Sequence, residues 1–412
     1  MLNGMPGEIP PDLLDARIRC ALGDATAWVL AGSPPCMPVV ETARSRLREA
    51  AGPSSDHRHF LYREYLRIIA AHAPPVIVMD DVPGFCQQIM GATGTVFEHV
   101  RRDLAAIPGG LSYELRSLVR NVALHEAGPD DHVIECERYG IPQARHRTVV
   151  LAIRSDLARM RRNGLLVPSD AKATVTHVLR GMPRIRGRLI HDESGSGWRE
   201  AVRAAPGAVR GWGALGEGRV LSEMAEAIGS ISRLGCPGNG FTPWTTTFED
   251  GAADVAGWLD VPELGGVIQH EARAVLPADV ARYMFAAAYA WCFRESPALE
   301  VFPRSLFGDR GTGLDSGVTL APGFGRYRVQ CAHRPSTPVL AHISKEGHGF
   351  IHPDPGQARS LTVREAARLQ TFPDDYFFEG NRTAQYTQVA RSIPPWIAKQ
   401  VAGIVHGILG VP

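Results

Sequence analysis

The sequence predicts an α/β fold, with a doubly wound parallel sheet carrying the reactive residues and an irregular region following it. Three observations lead there. The run Trp28-Val29-Leu30-Ala31 is short and apolar and is closed by Gly32-Ser33-Pro34-Pro35, the pattern of a buried strand with a loop at its carboxyl end. An amphipathic stretch over 60–73, with Leu61, Tyr65, Ile68 and Ile69 on one face, stops at Pro74-Pro75 and leads into Val76-Ile77-Val78-Met79-Asp80-Asp81-Val82. Strand, helix, strand in that order is a parallel βαβ unit. Ligands of such sheets bind at the carboxyl ends of the strands. Both runs end there in reactive side chains, Cys36 after the first and Asp80 after the second. A lone cysteine is usually a buried filler, but Pro34 and Pro35 restrict the backbone and present Cys36 at the loop.

Composition narrows the class. At 412 residues the chain exceeds a single core, and 44% hydrophobic with 21% charged residues is ordinary for a globular protein. The formal net charge of +1 makes no case for a polyanionic partner, so any such case rests on local patches. Seven cysteines at 20, 36, 86, 136, 236, 292 and 331 are scattered, with no CxxC pair. This points to reduced thiols in a cytoplasmic protein, with no zinc site and no disulfide framework. No signal peptide or membrane-spanning run is expected.

The remaining elements follow in order. Residues 13–22 have helical spacing. Residues 41–58 are arginine-rich and read as a solvated loop, and 96–107 and 115–127 read as helices. Residues 132–136 read as a third strand and 148–153 as a fourth. From 154 to 188 there are nine basic residues against Asp156 and Asp170, a solvated face or a phosphate-contacting one. Residues 189–265 are rich in Gly and Trp and read as irregular. Pro277–Phe293 is an amphipathic helix. Thr362 and Glu365 form a capping box for a helix ended by Pro373, and Pro394-Pro395 opens a last helix running to Leu409.

Four ordered stretches then coincide: Pro34-Pro35-Cys36; Asp80-Asp81-Val82-Pro83-Gly84; Gln143-Ala144-Arg145-His146-Arg147; and residues 359–376 followed by 388–395. Together they resemble the DNA (cytosine-5) methyltransferase family, whose PC, ENV, QxRxR, R-x-LTxREaaRLQxFP and QxGNaVPP motifs come in this order. The resemblance runs from about residue 15 to the C-terminus. It implies a partial doubly wound, Rossmann-like methyltransferase sheet plus an irregular target-recognition domain. The implied division is 1–163 for the catalytic domain, 164–384 for target recognition, and 385–412 for a segment returning to the catalytic domain.

The chemistry fits the residue types. Methylating carbon 5 of cytosine needs a nucleophile at carbon 6, and a thiolate adds readily and can later leave. The resemblance makes Cys36 that nucleophile and puts Asp80 at the acid beside ring N3. It gives Arg145 and Arg147 the base and its loop, and Pro35 and Gln143 the support of pocket and loop. Ser392 and Ile393 fall where the family holds S-adenosylmethionine. The resemblance implies double-stranded DNA as partner, with the target base flipped out, in the setting of restriction-modification systems.

The departures set further expectations. Asp80 stands for Glu, Asp81 for Asn, Met37 for Gln, and Ala390-Arg391 for Gly-Asn. Nothing ahead of residue 27 resembles the FxGxG loop that cradles S-adenosylmethionine. Three readings follow: an active enzyme whose cofactor half is supplied by a complementing chain or by an earlier start, a catalytically inactive homologue that binds DNA or a partner, and a degenerate fragment; activity of this chain alone is not expected. Residues 27–32 are expected to form an inner strand covered on both faces, with one edge left open. DNA contact is expected over 154–188, Arg161 and Arg162 included.

Overall fold

The computed structural model describes residues 9–33, 58–81, 95–122, 126–158, 164–192, 194–244, 253–307 and 327–410. The chain divides into two compact units. The first comprises Met1–Tyr139, His146–Pro168 and Ile397–Pro412, and the second Gly140–Arg145 and Ser169–Trp396.

Unit 1 is α/β with a mixed sheet. Its elements are α1 (Pro11–Leu22), β1 (Val29–Gly32), α2 (Arg58–His72), β2 (Val76–Asp81), α3 (Val96–Ala105), β3 (Tyr113–Arg116), β4 (Val133–Glu135) and β5 (His146–Arg154). The strand order is β1-β2-β5-β3, with β4 also on β5. β1 and β2 are parallel, as the βαβ reading requires, whereas β5 runs antiparallel to β2, β3 and β4. One sheet face carries Ile77, Met79, Val150, Ala152 and Leu115, which pack with Tyr65, Ile69, Phe97, Val100 and Leu104 of α2 and α3. α3 starts at a capping box in which Thr95 and Glu98 satisfy each other's backbone N–H groups. Among the described residues no helix is long and apolar enough to cross a membrane.

Two expectations fail in this unit. β1 is not covered on both faces: Val29 is 41% exposed and Ala31 is exposed, because β1 ends the sheet path and only its Leu30–Gly32 side rests on α2. The Tyr65 ring lies against Gly32, where a Cβ would come within 3.0 Å of it. The helix expected from 115 is a strand, since Tyr113 and Leu115 alternate inward with period two. The Ser117 hydroxyl then accepts from the Val119 and Arg120 N–H groups at 3.0 and 2.9 Å, which turns the chain.

Unit 2 contains α4 (Ser196–Val209), α5 (Glu217–Ser230), β6 (Gly238–Pro243), β7 (Gly266–Glu271), α6 (Pro277–Phe293), α7 (Val363–Leu369) and α8 (Arg382–Arg391). α9 (Pro395–Leu409) begins in this unit and continues in unit 1. The stretch 189–265 is thus not irregular, since it holds two 14-residue helices. Trp198, Val202, Ala205 and Val209 recur at helical spacing and pack on α6 and α5 through Met284, Phe285 and Met224. The signal was present but interrupted by Pro206 and Gly207 inside α4. α6 is buried almost all round and forms the centre of this core.

Around α7 the interior is polar. Arg359 forks onto Glu365 with two 2.7 Å bonds and reaches Gln357 at 2.6 Å. Arg364 donates to the carbonyls of Ile268, Pro373 and Tyr376. Arg368 donates to the Val178 carbonyl and to Asp260 and Asp374. Three buried guanidiniums thereby tie loops far apart in sequence to one short helix, each charge paired or hydrogen-bonded as burial demands.

Candidate active site

The site is built at the carboxyl end of β2. The strand is there because Val76-Ile77-Val78-Met79 is continuously apolar, and it delivers Asp80 and Asp81 at its end. β5 lies alongside in antiparallel register, with Asp80 opposite Val149. Arg147, two residues earlier on β5, is the diagonal neighbour of Asp80 on the same sheet face, a spacing that long side chains can bridge. Its Nε donates to Asp80 Oδ1 at 2.8 Å, and its Nη2 donates to Asp80 Oδ2. The pair is a bidentate fork, with Arg147 side chain 8% and Asp80 side chain 16% exposed. Nη1 stays outside the fork. A carboxylate and a guanidinium held in one plane at a strand end can orient a planar polar ring and balance charge that develops on it. This face is opposite the one packed on α2 and α3.

Near Arg147 in sequence the electrostatics are those of a core. His132, which follows the same loop into β4, is fully buried against Phe97 at 5.0 Å between ring centroids. Burial pushes its pKa down to about 4, so at neutral pH it is an uncharged packing residue.

Gln143 and Arg145 do different work, inside unit 2. Gln143 is fully buried; its amide donates to the Leu369 carbonyl at 3.1 Å and to Gln370 Oε1 at 2.6 Å, and accepts from Val339 N–H at 2.8 Å. Arg145 Nη1 donates to the Val339 carbonyl at 3.0 Å, and Nη2 to the carbonyls of Ala390 and Ser392 at 2.9 and 3.3 Å. Within QARHR, Gln143 and Arg145 thus brace loops, and Arg147 meets the strand-end carboxylate. Sequence spacing alone could not separate the two arginines.

The remaining sequence-derived positions fare unequally. Pro35, Cys36 and Met37 lie outside the described residues, as do Val82, Pro83 and Gly84 of the second stretch and Arg161 and Arg162 of the basic run. Ser392, expected at the cofactor, has its carbonyl engaged by Gln370 Nε2 at 2.6 Å and by Arg145, and its hydroxyl by the Val389 carbonyl at 2.8 Å. Ile393 has no polar side-chain atom to offer. The Ser392 hydroxyl and carbonyl are thus engaged within unit 2. Among the described residues no group of three or more His, Cys, Asp or Glu could hold a metal ion. Sequence reasoning missed the Gln143–Gln370–Ser392 chain, although Gln370 and Ser392 both sit in the stretches that carried the resemblance.

Comparison with known proteins identifies the family. The family described as C-5 cytosine-specific DNA methylase matches residues 19–184 and 314–406, more than half of the chain. The type II methyltransferase M.Bpa9945I of Bacillus paralicheniformis is 26% identical over 392 residues, covering 92% of this chain and 71% of its own. The DNA (cytosine-5-)-methyltransferase M.ApeKI of Aeropyrum pernix is 24% identical over 436 aligned positions, covering 94% and 83%. Among solved structures, a prophage-encoded E. coli protein described as a DNA modification methyltransferase superposes with a TM-score of 0.54 at 14% identity, over 98% of this chain and 84% of that one; this likeness speaks to the fold, a Rossmann-like α/β sheet. With the family model matching over more than half of the chain and the motifs in the family's order, the chain belongs to the C-5 cytosine-specific DNA methylases.

Proposed function

We propose that this chain methylates carbon 5 of a flipped cytosine in double-stranded DNA through a covalent Cys36 adduct, with S-adenosylmethionine, the methyl donor of the family, as cofactor. The observation that carries the reading is the Asp80–Arg147 fork at the carboxyl end of β2. In this reading the Cys36 thiolate adds to carbon 6, and negative charge moves into the ring toward N3 and carbon 5. The Asp80 carboxyl, held in plane by Arg147, stabilises the N3 side, and Arg147 faces the carbonyl edge. The methyl donor, when bound, would supply the methyl group to carbon 5 with its S–CH3 bond breaking and the neutral thioether leaving; carbon 5 would then lose its proton to a base, and the Cys36 thiolate would leave by elimination. Gln143 and Arg145 act as positioning residues, bracing the segment that leads into β5 against the 339 and 390–392 loops. Unit 2 supplies target recognition. The glycine-rich cofactor loop comes from outside the motifs carried here, for instance on a complementing chain, and the protein works in the cytoplasm within a restriction-modification setting.

A second reading, a catalytically inactive homologue that binds DNA or a partner, draws on Asp80, Met37 and Ala390-Arg391 in place of the family's Glu, Gln and Gly-Asn. One experiment separates the two. A pool of duplexes of randomised sequence carrying 2-pyrimidinone, which adds thiols at carbon 6 without any methyl transfer, is incubated with the chain. The expected result is a denaturant-stable protein–DNA adduct that disappears in Cys36→Ser. No adduct from a folded chain that still binds the duplex pool supports the inactive reading.

A further inference from the structure

Several arginines of unit 2 are paired with carboxylates within the unit. Arg184 meets Asp354, Arg188 and Arg382 share Glu271, Arg282 meets Asp279, and Arg359 and Arg368 are buried against carboxylates. In unit 1, Arg154 is likewise taken up by Asp156 and the Ala73 carbonyl. Of the described basic residues of the run 154–188, Arg154, Arg184 and Arg188 are thus held in ion pairs near the surface, and Arg186 is buried.

On α4 three arginines without such partners fall together. Among the described residues the side chains of Arg199, Arg203 and the C-cap Arg210 form no hydrogen bond or ion pair. At 3.6 residues per turn, positions 199, 203 and 210 fall within about 40° of one another around the helix, beside the buried Trp198–Val202–Val209 face. Ala204, Gly207 and Gly211, small and exposed, flank them. Like charges one turn apart repel and weaken a helix, and here only Glu200 on the same helix opposes them. A fourth cation stands behind the N-terminal end. Arg186 is 6% exposed, its Nη1 donates to the Gly187 carbonyl at 3.1 Å, and its guanidinium packs beneath Gly195, the helix N-cap, where a Cβ would collide with it. A cation at the positive end of a helix is unfavourably placed. Burial and the neighbouring Arg199 both push its pKa down, with Asp192 opposing.

We propose that this face of α4, with Arg199, Arg203 and Arg210 in line and Arg186 behind them, docks on the phosphate backbone of double-stranded DNA. The proposal rests on the DNA-modifying reading above. A row of unpaired guanidiniums on a flat helix flank gives sequence-independent contacts that position a duplex, while base edges are read elsewhere.

The test uses the full chain and a labelled random duplex of about 25 base pairs, titrated at several salt concentrations. With about 0.9 counterions released per phosphate contact, the triple variant Arg199→Glu, Arg203→Glu, Arg210→Glu is expected to lower the log–log salt slope by about 2 to 3 and the affinity by about tenfold or more at ~0.15 M salt. The charge-matched variant Arg233→Glu, Arg304→Glu, Arg328→Glu is expected to leave both nearly unchanged. Circular dichroism melts establish that the variants fold; single Arg→Gln changes, each expected to remove about one slope unit, serve if the triple variant does not. An unchanged slope and affinity in a folded variant, while the parent binds, overturns the α4 assignment alone. A parent chain that does not bind duplex DNA overturns the DNA-acting reading with it. Tighter binding to duplex RNA with the same dependence on α4 overturns the choice of partner.

Discussion

Asp80 and Arg147 differ from most surface ion pairs in being largely buried and in meeting through two parallel N–H···O bonds. Exposed pairs contribute little, whereas removing one partner of a buried fork leaves a charge without its counter-ion. Asp80→Asn is therefore expected to destabilise unit 1 by about 2 kcal/mol, read as a lowered urea midpoint at unchanged slope. Arg147→Lys keeps the charge but loses the planar fork. Adduct formation at Cys36 should then slow about tenfold or more with a much smaller change in stability. A rate drop no larger than the stability loss explains would mean the fork serves folding only. The residue pair was half legible in sequence: both residues sat in motif positions, but the diagonal placement of Arg147 against Asp80 needed the antiparallel register of β5 on β2.

Among the elements, α7 has the sharpest chemical signature. Thr362 caps it by accepting from Glu365 N–H at 3.2 Å, and the Glu365 carboxylate accepts from Thr362 N–H at 2.8 Å. Two buried histidines press on this cap. His270 bridges the Thr362 hydroxyl at 3.0 Å and the Pro183 carbonyl at 2.8 Å, an arrangement that suits the neutral ring with Nε2 donating. His352 sits 3.5 Å from Glu365. Burial pushes both histidines down to about 4 from the usual 6.5. The Arg359 guanidinium, aided by His352, holds the Glu365 carboxyl well below the usual carboxylate range despite burial. A histidine with a depressed folded pKa binds its proton more readily when unfolded, so its stability is fully present above pH 6.5 and is lost as pH falls toward 4. Glu365 adds a loss in the same direction below its unfolded value of 4.5. The urea midpoint of the chain should hold near pH 7 and fall steadily below 6.5, by up to about 1.4 kcal/mol per pH unit for each histidine. His352→Gln should flatten that fall, and a midpoint constant from pH 7 to 5 would rule the account out. The capping box was plain in sequence because it is local, but the histidines that load it lie about 10 and 90 residues away.

At the scale of the whole molecule, each unit has its own arrangement of strong and weak regions. In unit 1, β5 is paired on both sides and buried through most of its length, while β1 ends the path with Val29 exposed. Local opening follows such differences in burial and pairing. In hydrogen exchange followed by mass spectrometry, amides of residues 29–32 should exchange at least about tenfold faster than those of 148–153. Equal protection of the two would show that the outer edge of β1 is covered. In unit 2, the core around α6 is apolar and that around α7 is charged.

What the sequence determined by itself was whatever depends on near neighbours. The apolar runs of β1 and β2, the helix between them, the proline stops, the capping box at Thr362 and the order of the motifs were all legible, because period and capping act within a few residues. Gly and Pro inside α4 were enough to hide a helix whose apolar spacing was otherwise regular. Only the tertiary structure decided the direction of β5, the exposure of β1, the separation of Arg145 from Arg147, and which arginines keep an unopposed charge. Each of these turns on groups distant in sequence, such as Gln143 with Val339 and Gln370, or Arg145 with Ala390. Side-chain pattern sets which face of an element is buried, but the partner that buries it or neutralises its charge is chosen by long-range packing.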